Sequence, residues 1–408
     1  MRMSAARRFR RRCWSHPTYS HPSFLLLLWF VCVALSAIGS QSAAAGFSGA
    51  RSSQIDSSKA DALLAAAQNN VAAGKSAAAL TSLNHLLDLL KNDMRLKRVD
   101  QNRLKQALQV AMAIKTKEPE SFPANFLTAE LLFLENKPNE ALGLLTPFRT
   151  LSQKDPDYLS LLGNCYVRTA QLQSALQTFK QAIFLAPDRP DLYFQLAGLY
   201  QAARDNQAAI EVLNKALAKG LRSPTIHFTL GLSYFNLSDF DSAIQQFRKA
   251  IELQPEFGKA YYYIGRSASK LGSQETAVTA FRKAISFDPG DYRSPYELSL
   301  LLLNSGRLQD ALTELQQVLR LNPKFADAYY QRGKIYAKQG RIPDAVQSLE
   351  RAITLNPDLD AAYNELGQIY VRTGRRDKAQ EVLSLLNEKK QKRKEQFEQK
   401  VSGKNDPS

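Results

Sequence analysis

The sequence predicts an all-α fold, a solenoid of stacked antiparallel helix pairs, from three features that recur every 34 residues. The first is an alanine column made of Ala175, Ala209, Ala243, Ala277, Ala311, Ala345 and Ala379. The second is a small residue twelve positions earlier, at Gly163, Ala197, Gly231, Gly265, Ser299, Gly333 and Gly367. The third is a proline near the end of several repeats, at Pro187, Pro255, Pro289, Pro323 and Pro357.

Each repeat carries two helical patterns separated by a polar turn, for example at residues 260–271 and 274–287. Small residues in the two columns let the paired helices approach closely, and large residues fill the space between successive pairs. A proline cannot continue the second helix, so the repeat ends there. Because one helix pair cannot bury its apolar face alone, the repeats are expected to stack.

The repeat resembles the tetratricopeptide repeat family. In the third repeat the spacing that carries this resemblance is formed by Leu230, Gly231, Tyr234, Ala243, Phe247, Ala250 and Pro255. Seven such repeats span residues 156–389, and a degenerate one spans 122–155. Residues 60–121 are expected to hold a divergent N-terminal repeat plus a linking helix. The resemblance implies a right-handed superhelix whose concave groove is lined by the first helix of each repeat.

The two ends of the chain differ from the repeats in composition. Residues 1–45 combine arginines, an apolar stretch at 24–38 and small residues near Ala45, which is the layout of a secretory signal peptide. The alternative is an uncleaved anchor, but the apolar stretch is short for a membrane span. Residues 46–59 are predicted to be a flexible linker, and residues 390–408 a basic helical cap followed by a disordered tail.

These ends set the expected location. We expect an exported protein, periplasmic or extracellular, or one anchored to the inner membrane if residues 24–40 are retained. The formal net charge of +16 favours encounter with anionic partners or surfaces, and the six arginines before residue 46 supply part of it.

The residue composition argues against an enzyme. Beyond residue 45 the chain contains only Cys165, His85 and His227 as cysteine or histidine, which leaves no intrachain disulfide, thiolate metal site or histidine-based triad to build. No glycine-rich phosphate loop or other catalytic motif occurs, and the repeats leave no room for a catalytic domain. We therefore expect no catalytic residue, no metal and no cofactor.

Three successive tyrosines indicate which helix face lines the groove. At about 100° per residue, Tyr261 shares a face with the small-residue column and is predicted to be core, whereas Tyr262 lies on the opposite side with Arg266. The column of Tyr262 is aromatic in five successive repeats. The predicted partner-binding groove consists of Phe194, Phe228, Leu232, Phe235, Tyr262, Tyr296, Leu300, Leu303 and Tyr330, with Arg266, Lys270 and Lys334 as charged contacts. The alternative is that these aromatic residues pack neighbouring repeats together.

Such a groove predicts a non-enzymatic scaffold or adaptor in the cell envelope. Its partner would be a peptide or a helix of another protein. Apolar anchors of the partner would contact the aromatic and leucine side chains of the groove, and its acidic residues would pair with Arg266, Lys270 and Lys334. A second hypothesis is binding of a polyanion, either acidic polysaccharide or nucleic acid, through the basic groove residues and the tail. A third is self-association through the edge formed by Val382, Leu383 and Leu386.

Overall fold

The computed structural model describes residues 51–95, 101–150 and 152–402 of the chain, and side chains within 58–91, 101–150 and 152–399. The predicted signal peptide or anchor therefore lies outside the described residues. In these ranges all regular structure is helical, with nineteen α-helices and one 3-10 turn, so the all-α prediction is confirmed. The chain divides into two compact units, an N-terminal unit that ends at Asp239 and a C-terminal unit that begins at Phe240.

The N-terminal unit, as far as it is described, contains ten of these α-helices. In chain order they are α1 (Arg51–Ala72), α2 (Ser76–Arg95), α3 (Gln101–Lys117), α4 (Phe122–Leu134), α5 (Pro138–Leu145), α6 (Pro156–Arg168), α7 (Leu172–Leu185), α8 (Pro190–Ala202), α9 (Asn206–Ala218) and α10 (Pro224–Asn236). Consecutive helices pack as pairs, such as α6 with α7 and α8 with α9.

The C-terminal unit contains the other nine. They are α11 (Phe240–Leu253), α12 (Gly258–Lys270), α13 (Gln274–Phe287), α14 (Arg293–Asn304), α15 (Leu308–Leu321), α16 (Ala326–Lys338), α17 (Ile342–Leu355), α18 (Asp360–Arg372) and α19 (Arg376–Ser402). Here α12 packs with α13, α14 with α15, α16 with α17, and α18 with α19. Stacked helix pairs are the arrangement expected of an α-solenoid.

Close pairing of the helices depends on the small-residue column. A Cβ added at Gly265 in α12 would lie 2.7 Å from Phe281 Cε1 in α13. At Gly163 in α6 the added Cβ would lie 2.6 Å from Phe179 Cε1 in α7. Both phenylalanines are fully buried, so their rings fill the space that a glycine leaves between the paired helices.

The turn between the two helices of a repeat places one residue in the left-handed region of backbone space. In the N-terminal unit this residue is Gly74 between α1 and α2, but the later repeats have other residues, with φ angles of 59° at Ala170 and 60° at Arg204. In the C-terminal unit the column is glycine throughout, at Gly272, Gly306, Gly340 and Gly374. Glycine adopts this conformation without steric cost.

One sequence prediction needs correction, and one repeat departs from the regular pattern. The predicted flexible linker at residues 46–59 is helical from Arg51 onward, because residues 51–59 contain neither glycine nor proline to interrupt a helix that continues into Ala60. In the degenerate repeat at 122–155 the second helix stops at Leu145, and Pro147 lies in the 3-10 turn Thr146–Phe148. Proline lacks the amide donor that a longer helix would need there.

The last helix continues beyond the repeats. α19 runs through the predicted basic cap to Ser402, and residues 403–408 of the predicted tail lie outside the described residues. Arg393 Nη2 donates to Asp360 Oδ1 at 2.6 Å, which ties the cap to the first turn of α18. Leu386 in α19 is buried, so the helix is also held by apolar packing.

Candidate protein-binding surface

The three successive tyrosines lie on α12. The first two, Tyr261 and Tyr262, show the reverse of the predicted burial. Tyr262 is only 7% exposed, whereas Tyr261 is half-buried and stacks on Phe287 with ring centroids 5.5 Å apart. The prediction that Tyr261 is core and Tyr262 open to the groove is therefore wrong. The ring of Tyr262 packs against Phe281 and against the edge of Tyr263, which encloses it.

The predicted groove residues of the C-terminal unit form two groups by exposure. Tyr262 and Leu303 are buried. Tyr296, Leu300, Tyr330, Arg266 and Lys334 are half-buried, and Lys270 is exposed. Only the half-buried and exposed side chains present surface to a partner, so they define the accessible part of the predicted site.

Cations lie over the tyrosine rings on this surface. Arg293 Cζ is 5.1 Å from the ring centroid of Tyr262, and Arg266 Cζ is 5.8 Å from the same centroid. Lys334 Nζ lies 5.4 Å from the ring centroid of Tyr330. These distances allow a cation–π attraction, which holds the charged groups in place beside the rings. The accessible residues named above, Arg266, Lys270, Tyr296, Leu300, Tyr330 and Lys334, together with half-buried Arg293, are called the tyrosine–cation surface.

Two acidic side chains adjoin the cations. Asp291 accepts hydrogen bonds from Arg293 Nε and Nη2 at 2.8 and 3.0 Å. Glu297 Oε1 lies 3.8 Å from Arg266 Nε, a loose ion pair. Burial raises the pKa of Glu297, and the nearby charges of Arg266 and Lys270 oppose that rise. The carboxylate of Glu297 therefore lies close to the positive charges of Arg266 and Lys270.

Burial also keeps the tyrosine hydroxyls protonated. It raises the pKa of both Tyr262 and Tyr296 to about 12. At neutral pH these hydroxyls are therefore neutral and able to donate hydrogen bonds.

The predicted groove residues of the N-terminal unit are more enclosed. Phe194 is 2% exposed and Phe228 6%, whereas Leu232 and Phe235 are half-buried. Phe194 belongs to the apolar core around α8 and α9, with Leu213 and Ala209. Its ring therefore stabilises the helix packing, in agreement with the packing alternative for this residue.

Amide and hydroxyl side chains form two sets of hydrogen bonds near these rings. Ser160 Oγ donates to Gln195 Oε1 at 3.2 Å, and Gln201 Nε2 donates to Ser233 Oγ at 2.8 Å. Gln201 Nε2 also donates to the Thr229 carbonyl at 2.9 Å, which joins α8 to α10. Sequence reasoning missed these hydrogen bonds, and it also missed Arg293 and Glu297. Aligning the repeats places Arg293 and Glu297 on α14, the first helix of the repeat that follows the one with Tyr262. That alignment was the signal that could have identified them.

Other candidate chemistry is sparse in the described ranges. No group of three or more His, Cys, Asp or Glu side chains there is arranged to hold a metal ion. Cys165 is fully buried, and burial raises the pKa of its thiol to about 12, so the thiolate is not available at neutral pH. Among the described helices none is both long and apolar enough to cross a membrane.

The edge considered for self-association is occupied within the chain. Leu386 is buried, and Val382 packs against the core formed by α17 and α18. Leu383 Cδ2 lies 2.9 Å from the position of a Cβ at Gly367 in α18. These three side chains therefore face their own neighbouring helix.

The model of the family described as the Cilia and flagella-associated protein 70 C-terminal domain, a tetratricopeptide repeat family, matches residues 189–402, just over half of the chain. The chain belongs to this family. The resemblance predicted from the 34-residue period is thereby confirmed. No curated protein matches the chain in sequence.

Several solved structures are similar to this tetratricopeptide repeat protein. MamA is 26% identical over 41% of this chain and 97% of its own, with a TM-score of 0.39. YrrB, described as a TPR protein with an unusual peptide-binding site, is 25% identical over 46% of this chain and 97% of its own, with a TM-score of 0.41. PilF of Pseudomonas aeruginosa is 17% identical over 53% of this chain and 97% of its own, with a TM-score of 0.47.

Membership of the tetratricopeptide repeat family supports a general role for the chain. Proteins of this family are in general non-enzymatic scaffolds for protein–protein interaction, and the matched range includes the whole tyrosine–cation surface. The stacked helix pairs provide an extended surface of the kind that repeat proteins use for binding.

Proposed function

We propose that this chain is a non-enzymatic scaffold that binds a peptide or a partner helix on the tyrosine–cation surface of its C-terminal unit. The partner carries apolar anchors and acidic residues. Half-buried Tyr296, Leu300 and Tyr330 offer apolar contact area at low entropic cost, since aromatic side chains have few rotamers.

The observation that carries the proposal is the arrangement of the cations. Arg266 lies beside the Tyr262 ring and Lys334 beside that of Tyr330. Arg293 also lies beside the Tyr262 ring, but it already pairs with Asp291. A cation held in this way loses little freedom when it meets a carboxylate. Such cations steer an acidic partner and fix its register more than they add affinity.

The N-terminal sequence supports an exported location for the scaffold. Arginines followed by a short apolar stretch and small residues at 1–45 have the layout of a signal peptide, and retention of residues 24–40 would leave the protein at the inner membrane. The intact mass of the protein purified from an envelope fraction distinguishes these two forms, because cleavage near Ala45 removes about a tenth of the chain.

Polyanion binding is less well supported by the charges of the cap. Lys392 pairs with Glu388 at 2.6 Å, and Arg393 pairs with Asp360 at 2.6 Å. Lys394 lies 3.9 Å from Glu398. These ion pairs neutralise part of the positive charge that binding of a polyanion would require.

Affinity capture with three versions of the full chain tests the proposal. The bait is the tagged protein, compared with a Tyr330→Ala/Lys334→Glu variant and with a Lys324→Glu control in an exposed loop between α15 and α16. We expect one or more proteins to be captured by the natural chain and the control but lost by the double variant. Equal capture by all three would contradict the proposed surface.

Salt dependence separates the two functions. The affinity of a polyanion complex falls steeply as salt rises, because counterions are released on binding. A complex that rests on apolar anchors weakens modestly over the same range. A steep loss of every captured species, with nucleic acid or polysaccharide among them, would favour the polyanion hypothesis.

A further inference from the structure

A cavity of about 510 Å³ lies between α11, α12 and α13, away from the tyrosine–cation surface. Its apolar wall includes Ile251 of α11, Tyr261 and Ile264 of α12, and Ala280 of α13. The volume is in the range of about 300–1,000 Å³ that ligand-binding cavities have in proteins. Tyr261 continues the apolar surface beyond the cavity, since its outer neighbour Phe287 is 36% exposed.

The cavity is open in this repeat because two positions of its wall carry the uncharged residues Ile264 and Ala280. The fifth repeat has Glu314 on α15 at the position of Ala280, and one oxygen of that carboxylate is buried. The sixth repeat has Arg332 and Ser348 at the positions of Ile264 and Ala280, and Arg332 Nε donates to Ser348 Oγ at 3.2 Å. The equivalent space in these two repeats is thus occupied by polar side chains.

Four charged residues surround the apolar wall. Arg248 and Glu252 belong to α11, and Glu275 and Lys283 belong to α13. Within the described part of the chain no ion pair joins any of the four to another side chain. Each helix therefore presents one acid and one base whose charges are available to a ligand with complementary charges.

The chemistry of the walls favours a helix as the ligand. Backbone amides and carbonyls in the middle of α11 and α13 are already bonded within their helices, so the walls offer no sheet-like edge to an extended peptide. A helix satisfies its own backbone and needs only apolar side chains at one face. Charged residues on the two edges of that face would then meet the four charges beside the cavity.

We propose that this cavity is a second docking site, which takes an amphipathic helix of a protein partner. The apolar face of the helix enters between α11 and α13 onto Tyr261 and Ile264. Acidic residues along its edges pair with Arg248 and Lys283, and basic residues pair with Glu252 and Glu275. The site is independent of the proposed function, because it uses none of the residues of the tyrosine–cation surface.

A displayed library of amphipathic helices on the full chain tests the proposal. The probes are helices of about 18 residues, long enough for measurable helicity in isolation, with a fixed apolar face and randomised charged edges. Recovered peptides are synthesised, and their affinities are measured by fluorescence anisotropy. Circular dichroism verifies that each protein variant remains folded.

The chain itself supplies variants that fill the cavity. Ala280→Glu reproduces the fifth repeat, and Ile264→Arg/Ala280→Ser reproduces the sixth, so both are compatible with a repeat of this kind. Gln347→Glu is the matched control, because Gln347 is exposed on α17 at the position equivalent to Thr279, which lines the cavity. Tyr330→Ala/Lys334→Glu monitors the tyrosine–cation surface.

We expect the recovered peptides to lose at least about tenfold in affinity for both filled variants, which corresponds to about 1.4 kcal/mol, and to bind the control and the surface variant unchanged. Lys283→Glu should weaken a peptide with an acidic edge, and reversing that charge in the peptide should restore binding. Failure to recover such peptides, or unchanged affinity for both filled variants, would overturn the second site. Loss only in the surface variant would also overturn it, while supporting the proposed function.

Discussion

At the scale of single residues, the turn inside each helix pair holds its central residue at positive φ. Ala170 and Arg204 adopt φ of 59° and 60°, a region in which a Cβ contacts the following carbonyl oxygen. The repeats of the C-terminal unit avoid this strain with glycine at the same position, as at Gly306. The repeats that contain Ala170 and Arg204 therefore store strain at a turn that is unstrained in the C-terminal unit.

Replacing the strained residue with glycine should stabilise the N-terminal unit. We expect Ala170→Gly to raise the free energy of unfolding by about 1 kcal/mol, because the relief of left-handed strain exceeds the entropy that glycine adds to the unfolded chain. Gly306→Ala should lower it by a similar amount. Urea unfolding followed by circular dichroism measures both, and a destabilising Ala170→Gly would contradict the conformation assigned to the turn.

The enclosed tyrosine of α12 makes stability depend on pH. The pKa of Tyr262 is raised from 10.0 to about 12 by burial, so between these values the unfolded chain releases a proton that the folded chain keeps. The stabilisation is fully present below pH 10 and is lost as pH rises through 12. We expect Tyr262→Phe to lose stability less steeply than the natural chain between pH 10 and 12, as measured by thermal midpoints. Parallel curves for the two proteins would contradict the burial of the hydroxyl.

At the scale of elements, helix pairing depends on the match between one small and one large residue. Gly265 faces Phe281, and the added Cβ distance of 2.7 Å shows that no alanine fits against this ring without movement. Two other repeats solve the same packing differently, since Ala197 and Ser299 occur with the smaller Leu213 and Leu315 at the positions of Phe281. In these two repeats the larger residue of the small-residue column occurs with leucine, although leucine also faces glycine at Gly333 and Gly367.

This pairing predicts a compensated double substitution. Gly265→Ala should destabilise the protein by about 1–3 kcal/mol, because it overpacks the interface between α12 and α13. Phe281→Leu should destabilise it as well, by leaving space in the core. In the double variant the alanine fills that space, so its cost should be smaller than the sum of the two single costs. Additive costs in a double-mutant cycle would show that the two residues do not pack against each other as described.

At the scale of the whole molecule, the fold follows from the sequence because one constraint is repeated many times. The column of Ala277, for example, requires a small residue so that the two helices of a repeat can pack closely. All seven repeats have alanine at this position. The linker was predicted to extend to residue 59, but residues 51–59 are helical, because they contain no glycine or proline to interrupt α1. Composition favoured a linker there, because small polar residues are compatible with both a linker and a helix.

The candidate site could be predicted only in part, for a related reason. Periodicity places Tyr262, Tyr296 and Tyr330 in one column, but their exposure depends on the size of neighbours from other helices. Phe281 and Tyr263 enclose the first, whereas the second and third remain half-buried. The cavity beside Ala280 likewise results from side chains of three helices together. Such combined effects of size require the packed structure.

The central claim is that a protein partner contacts the tyrosine–cation surface, and site-specific photocrosslinking in living cells tests it most directly. A photoreactive phenylalanine analogue replaces Tyr330 on α16 in one protein and Leu321, an exposed residue of α15, in a second. We predict protein adducts at position 330 that are absent at position 321 and that disappear when Lys334→Glu is added. Adducts of equal yield at both positions, or adducts only at position 321, would contradict the claim.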